Sequence, residues 1–162
     1  MMRAAQRLLE EKSSYATVAA PCPVFGACGG CALQDLAYHD QLALKLERVR
    51  RAFAPFDAAL PIEMVGLEDP WRYRNKAEFT FAAAQGRLAL GYHERRSFTR
   101  IVDLEDCLLL PSPAMAAARE VVRLAAETGL PAYHPRTHQG FFRYLLVRHS
   151  HATGKTLLCV MT

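Results

Sequence analysis

Three of the chain's five cysteines lie close together in the segment "PCPVFGACGGCAL". Cys22, Cys28 and Cys31 have the spacing C-x5-C-x2-C, and Gly29 and Gly30 separate the last two. In a cytosolic chain, clustered cysteines bind metals more often than they form disulfides. A redox pair normally opens a helix, whereas this C-x2-C follows a third cysteine and contains glycines, which let backbone N–H groups approach the sulfurs. The spacing therefore indicates a metal site with three thiolates and a further ligand.

The fourth ligand has three candidates. His39 lies shortly after Cys31 and would complete a zinc site. Cys107 follows "DLED" at the end of a predicted strand, in a polar setting, whereas Cys159 lies in the apolar "TLLCVMT", where a buried, inert thiol is the better interpretation. Because soft thiolate ligands select both zinc and iron–sulfur clusters, the spacing alone favours iron–sulfur only slightly.

The composition restricts the class of protein. With 162 residues, the chain can form one ordinary domain or two small ones. Its hydrophobic content of 51% and charged content of 22% are those of a folded globular protein. No apolar run approaches the roughly 20 residues of a membrane helix, and "MMRAAQRLLEEKSS" lacks the apolar core of a secretory signal. We therefore expect a cytoplasmic protein without a membrane partner.

Basic residues recur in clusters, although the formal net charge is only +4. Several lie beside aromatic residues, as in "WRYRNK" and "FFRYLLVR". Such clusters indicate either solvated faces or a polyanion partner, because cations bind phosphates and aromatic rings stack on bases. The clusters comprise Lys45, Arg48, Arg50 and Arg51, then Arg72, Arg74 and Lys76, then Arg95, Arg96 and Arg100.

The hydrophobic pattern predicts an α+β fold. Apolar residues at helical spacing predict an amphipathic helix from Asp35 to Phe53. Strands follow in "AEFTFAA", "GRLALGYH" and "FTRIVDLEDC". A second helix is predicted with Ser112 as its N-cap and Pro113 at its first position, ending at Gly129. The segment "FFRYLLVRHSHATGKTLLCVMT" predicts a closing hairpin of antiparallel strands.

Three segments carry a resemblance to a known family. "CPVFGACGGCALQDLAYHDQLALK", "PWRYRNKAEFTF" and "GYHERRSFTRIVDLEDCLLL" closely resemble parts of the bacterial RNA uracil-5-methyltransferases, in particular the iron–sulfur-containing 23S ribosomal RNA branch. The first segment is the most specific. Its matching residues are Cys22, Pro23, Phe25, Gly26, Cys28, Gly29, Gly30, Cys31, Gln34, Leu36, Tyr38, Gln41, Leu42 and Lys45.

The resemblance implies cofactors, a partner and site residues. It implies a four-iron, four-sulfur cluster on Cys22, Cys28, Cys31 and Cys107, with a structural role that connects a helical module to a strand-rich domain. It also implies binding of RNA, 23S ribosomal RNA in the first place, by the central domain. We expect part of that surface to be formed by Trp71, Arg72, Tyr73, Arg74 and Lys76, although the two aromatic side chains are also candidates for internal packing.

The resemblance also implies a domain plan. Residues 1–20 would be a remnant of an N-terminal TRAM-like segment and linker, 21–66 the iron–sulfur module, and 67–162 the central α+β RNA-recognition domain. Family members continue into a Rossmann-like domain that binds S-adenosylmethionine and carries the catalytic cysteine. We expect that domain to be absent from this sequence, so that no residue here is catalytic and the fragment alone is inactive.

Two other functions compete with that of a methyltransferase fragment. One is a stand-alone metal-binding and RNA-binding module without catalysis. The other is a cytosolic zinc module with protein partners. Iron and acid-labile sulfide distinguish a cluster from zinc, and salt-dependent RNA binding distinguishes a nucleic-acid partner from a protein.

Overall fold

The computed structural model describes residue 8 and residues 10–162. The chain divides into two compact units, neither of which is continuous in sequence. The first comprises Met1–Pro23 and Ala32–Pro70, and the second comprises Val24–Cys31 and Trp71–Thr162. The short glycine-rich segment thus groups with the strands that follow residue 71, and not with the helical module. Within the described residues, no helix has the length and apolar character needed to cross a membrane.

The first unit contains helix α1 (Tyr38–Phe53). The predicted helix is confirmed, but it begins three residues after Asp35. The reason is a competing backbone interaction, because the carbonyl of Asp35 accepts the N–H of Val18 at 2.8 Å and Leu36 forms a β-bridge with Thr17. Gln34 and Asp35 therefore lie in a turn and Leu36 in a bridge, so the helix begins only at Tyr38. Of the predicted N-terminal remnant 1–20, residues 1–7 and 9 lie outside the described part of the chain.

Charged side chains hold α1 within the first unit. Glu11 accepts hydrogen bonds from Arg48 at 2.6 Å and from Arg51 at 2.7 Å. These hydrogen bonds lower the pKa of Glu11, and the one from Arg48 is the largest cause. Lys12, whose side chain is almost buried, contacts Asp35 at 2.5 Å. Two of the basic residues expected from sequence to be available for a polyanion are therefore already paired.

The second unit is built on a five-stranded sheet with neighbouring strands antiparallel, in the order β3-β2-β1-β4-β5. The predicted antiparallel α+β domain is confirmed. β1 and β2 are joined by a tight turn at Gln85 and Gly86, both with positive φ, as a two-residue hairpin requires. The strands are β1 (Lys76–Ala84), β2 (Arg87–His93), β3 (Ile101–Asp103), β4 (Tyr144–His149) and β5 (Thr156–Met161).

Helix α2 (Ser112–Glu127) covers one face of the sheet. Its alanines and Met115 pack with the side chains that alternate inward on β1 and β4, including Phe79, Phe81, Leu145 and Val147, all fully buried. The predicted N-cap is wrong: Pro111 occupies that position, and Ser112 is already helical without a side-chain cap bond. Proline suits the position before a helix because its fixed φ fits and it lacks an N–H to satisfy.

The predicted closing hairpin is confirmed as β4 and β5. The expectation that Cys159 is buried is wrong, because this thiol is exposed. Cys159 pairs in register with Leu146, one residue away from the positions that face α2, and β5 is an edge strand. An apolar run cannot indicate burial by itself, since successive residues of a strand point to opposite faces.

Candidate functional site

The cysteine segment is attached to the end of β2 by backbone hydrogen bonds. The N–H of Cys28 donates to the carbonyl of Val24 at 2.9 Å and closes a turn. The N–H of Gly29 donates to the carbonyl of His93 at 2.9 Å, and the N–H of Arg95 donates to that of Ala27 at 2.8 Å. A loop of small residues thus runs beside the strand end like a short extra strand, which fixes the direction of the Cys28 side chain.

Both glycines between the cysteines are sterically required. A Cβ on Gly29 would lie 2.7 Å from the carbonyl oxygen of His93, and one on Gly30 would lie 2.8 Å from the ring of Tyr92. The absence of side chains also lets the N–H of Gly30 donate to Sγ of Cys28 at 3.4 Å. This is the approach of a backbone donor to sulfur that the glycines predict.

A phenol and a guanidinium, both partly buried, lie beside these residues. The guanidinium of Arg74 donates to the hydroxyl of Tyr92 at 3.3 Å and to the carbonyl of Gly30 at 3.3 Å. Burial raises the pKa of Tyr92; Arg74 opposes the rise, and the thiols of Cys107 and Cys28 add to it. Both thiols therefore lie within electrostatic range of the same hydroxyl, which brings together two cysteines far apart in sequence.

Arg72 positions the segment that carries Cys107. Its guanidinium forms a two-nitrogen contact with the carboxylate of Asp106, at 2.8 and 2.6 Å, and donates to the carbonyls of Cys107 and Leu110, each at 2.9 Å. The hydrogen bond from Arg72 lowers the pKa of Asp106, whose carboxylate also accepts the N–H of Cys107 at 2.8 Å. The backbone of Arg72 is left-handed, with φ 55°. A strained residue with four side-chain hydrogen bonds indicates a positioning role.

The remaining cysteines are placed differently. Arg95 donates to the carbonyl of Cys31 at 2.6 Å and lies over the ring of Phe25 at 5.2 Å. Cys22 belongs to the first unit, where its N–H donates to the side-chain oxygen of Gln34 at 3.3 Å. Among the residues that the structure describes, no group of three or more His, Cys, Asp or Glu side chains is placed to hold a metal ion.

The alternative ligand His39 lies in the first unit and is mostly exposed, 3.0 Å from the carboxylate of Asp40. Tyr92 and Asp106 were missed by the sequence reasoning, and Arg95 was named only as a member of a basic cluster. The sequence contained a signal for these residues, because all three lie inside the segment "GYHERRSFTRIVDLEDCLLL" that carries part of the family resemblance.

The five residues expected to contact RNA fall into two groups. Arg72 and Arg74 have the internal partners described above. Tyr73 is half exposed, and Lys76 is exposed at 3.9 Å from Glu78. Trp71 is partly buried. Their role in RNA binding stays a prediction. Of the five, Tyr73 and Lys76 are the most exposed to solvent.

The fold and the cysteine-bearing loop define a mixed α/β protein with a five-stranded antiparallel sheet. No family model matches the chain. The chain is similar to curated relatives that are named uncharacterized RNA methyltransferases. It is 34% identical over 148 residues to one from Halalkalibacterium halodurans, covering 90% of this chain and 32% of that protein. It is 36% identical over 157 residues to one from Listeria innocua, covering 93% and 34%.

A solved structure has the same fold. The crystal structure of the Pyrococcus abyssi tRNA (uracil-54, C5)-methyltransferase in complex with S-adenosyl-L-homocysteine matches with a TM-score of 0.66 at 22% identity. The match covers 86% of this chain and 32% of that one. The chain therefore spans about a third of the length of the proteins that it matches.

Proposed function

We propose that this chain is part of an S-adenosylmethionine-dependent RNA methyltransferase that methylates C5 of uridine, and that it supplies RNA-binding surface. The observation that carries the proposal is the sequence similarity over at least 90% of the chain to proteins named RNA methyltransferases. The fold match to an enzyme that acts on C5 of uracil supports the position of the methyl group. S-adenosylmethionine, when bound elsewhere in the whole protein, supplies that methyl group.

The RNA substrate that we propose is 23S ribosomal RNA, because the cysteine segment resembles that branch of the family. A transfer RNA is the second candidate, since the matching solved structure is a tRNA methyltransferase. In either case the target uridine must leave its stack before its C5 can react. The work of this chain is then to hold the nucleotides around the target, which needs cations for phosphates and rings or guanidinium planes for bases.

We further propose a four-iron, four-sulfur cluster on Cys22, Cys28, Cys31 and Cys107. The donor chemistry fits, because four thiolates are the usual ligands of such a cluster. The N–H of Gly30 on the sulfur of Cys28, and the packing of Cys28 and Cys107 in or against the same hydrophobic cluster, also support the proposal. Cys22 enters the ligand set from the sequence resemblance alone.

The protein's own residues would position such a cluster without taking part in methyl transfer. Arg72 and Asp106 hold the backbone at Cys107, and Arg74 and Arg95 donate to the carbonyls of Gly30 and Cys31. Because a structural metal site contributes its binding free energy to folding, we expect loss of the cluster to destabilise the chain.

The RNA proposal is tested by equilibrium binding of the purified chain to fluorescently labelled 23S ribosomal RNA fragments, a transfer RNA and a DNA duplex. We expect tighter binding to an RNA than to the duplex, with a linear log–log dependence on salt. Equal binding to all three, or no binding to either RNA, would contradict the proposal. Preference for the transfer RNA would select the second candidate.

The cluster proposal is tested separately by iron and acid-labile sulfide content after anaerobic purification. We expect about four of each per chain, and loss of both in Cys107→Ser. Cys159→Ser is the matched control, since it removes an exposed thiol on β5. Zinc in place of iron, or full iron content in Cys107→Ser, would rule out the proposed cluster.

A further inference from the structure

The positive charge of this protein is concentrated in its last 35 residues. Up to Glu127 the sequence contains sixteen Lys and Arg residues and sixteen Asp and Glu residues, which balance. After Glu127 there is no carboxylate side chain, and the four cations Arg136, Arg143, Arg148 and Lys155 account for the whole net charge of +4. Four of the six histidines also lie there.

The structure strengthens this asymmetry. The ion pairs of the described residues join charges that precede residue 128. The three basic clusters that are prominent in sequence contain several of these paired cations, for example Arg48 with Glu11, and Arg100 with Glu94. The segment after Glu127 therefore carries the net positive charge of the chain, and Arg143 and Arg148 have no neighbouring carboxylate in sequence.

An aromatic and guanidinium stack lies at the start of β4. The guanidinium of Arg143 lies over the ring of Tyr133 at 4.9 Å and over that of Tyr144 at 5.1 Å. Tyr133 is fixed in turn, because its N–H donates to the carbonyl of Phe142 at 2.8 Å and its hydroxyl contacts Nδ1 of His138 at 2.7 Å. Flat groups held in place in this way are a surface on which a nucleic-acid base can stack.

Further cations lie on the face of the sheet that α2 does not cover. Because alternate residues share a face, Tyr144 and Arg148 both point away from the face that α2 covers. They are four positions apart along the strand, a distance of about 13 Å. Lys76 lies beside Arg148 in the register of β1 with β4, and Glu78, on the same face, is paired with Lys76 at 3.9 Å.

The β4–β5 turn adds a place for phosphate. It borders an open depression of about 440 Å³ lined by Arg148, His149, Ser150, Lys155, Thr156 and Leu157. The ring of His149 is fixed by a 2.9 Å hydrogen bond to the hydroxyl of Thr156. The lining contains two cations and no carboxylate, which suits an anionic group.

We propose that this surface, formed by Tyr133, Arg143, Tyr144, Arg148 and Lys155 and called here the β4 surface, binds a single-stranded RNA segment. One base stacks on Tyr133, Arg143 and Tyr144, and the following phosphates contact Arg148 and Lys155. A single strand fits because its bases are free to leave their neighbours and lie on a flat protein surface. The choice of RNA among polyanions rests on the proposed function.

The test is fluorescence anisotropy with a labelled single-stranded RNA of about 12 nucleotides, long enough to span one such surface. We expect Arg143→Ala to raise the Kd at least about fivefold, the lower bound for loss of one stacking group. Arg143→Lys keeps the charge but loses the planar stacking group, so it should weaken binding while leaving the salt dependence unchanged.

The double variant Arg148→Ala with Lys155→Ala reports on phosphate contacts. We expect the slope of log K against log salt to become smaller in magnitude by about 1.4, since each single-strand phosphate contact contributes about 0.7. Arg123→Ala is the matched control: it also removes a surface cation, but one that is already paired with Glu120 and Glu127. It should change neither Kd nor slope by more than about 0.3 logarithmic units.

The outcomes separate this inference from the proposed function. If the wild-type chain binds RNA and the β4 variants bind with unchanged Kd and slope, the inference is wrong and the proposed function stands. If the wild-type chain binds no RNA, both fail. If the β4 variants lose affinity in proportion to a fall in melting temperature, with an unchanged slope in the double variant, the surface has a structural role and the inference is also wrong.

Discussion

Two groups of basic and aromatic residues in the second unit look alike in sequence and differ in structure. In "WRYRNK", Arg72 and Arg74 point inward to carbonyls, a carboxylate and a phenol. In "FFRYLLVR", Arg143 lies over the rings of Tyr133 and Tyr144, and Arg148 is exposed beside a depression. The first group organises the cysteine-bearing loops and the second faces solvent. A basic cluster therefore indicates its function only when the positions of the nearby carboxylates are known.

The largest expected effect is that of Arg72→Ala. This variant removes the guanidinium hydrogen bonds to the carboxylate of Asp106 and to the carbonyls of Cys107 and Leu110, so we expect the free energy of unfolding to fall by about 2–3 kcal/mol. Urea unfolding measures it. Arg148→Ala is the matched control and should cost less than about 0.5 kcal/mol, because it is exposed. Similar losses in the two variants would remove the distinction between the groups.

Gly29→Ala is expected to have the next largest effect. The added Cβ would lie 2.7 Å from the backbone oxygen of His93, which cannot rotate away as a side chain can. We expect destabilisation by about 2 kcal/mol, as for an overpacked site. Gly26→Ala in the same loop meets no atom within 4 Å and carries only the cost of its positive φ, about 1 kcal/mol. Thermal melting of both variants should show this order, and the reverse order would mean that the loop is held less tightly than its hydrogen bonds indicate.

Asp106 gives a pH-dependent prediction. Its pKa is held below the ordinary value of 3.8, with the hydrogen bond from Arg72 as the main cause. A depressed carboxyl pKa stabilises the folded state above the unfolded value, and this stability is lost as the pH falls through the folded value. Asp106→Asn should therefore be less stable than wild type near pH 6, and the difference should shrink below about pH 4. A difference independent of pH would assign the effect to packing.

The smallest expected effect on folding is that of Tyr73→Ala. The side chain is half exposed, so we expect a loss of stability below about 0.5 kcal/mol. If Tyr73 stacks on a base, RNA affinity should fall by on the order of 1 kcal/mol, about fivefold in Kd. Loss of stability without loss of affinity would assign Tyr73, like Arg72, to the group of residues that organise the structure.

Much of the fold could be predicted from sequence. The hydrophobic period and turn residues predicted both helices and the antiparallel strands, because these features depend on neighbours within a few positions. Helix boundaries were less accurate: α1 begins at Tyr38 because Asp35 and Leu36 interact with Val18 and Thr17, an interaction no local pattern contains. The burial of Cys159 was predicted wrongly for a related reason, since apolar content does not reveal which face of an edge strand is covered.

For the candidate site, the sequence by itself determined which residue types are present and that all of the net positive charge follows Glu127. It also placed Gly29 and Gly30 between Cys28 and Cys31. Only the tertiary structure decided that Cys28 and Cys107 share the neighbourhood of Tyr92, that Arg72 and Arg74 point inward, and that Arg143 contacts two tyrosine rings. The physical reason is that charge and side-chain size belong to each residue, whereas desolvation, ion pairing and stacking depend on distances between residues that only the packed chain brings together.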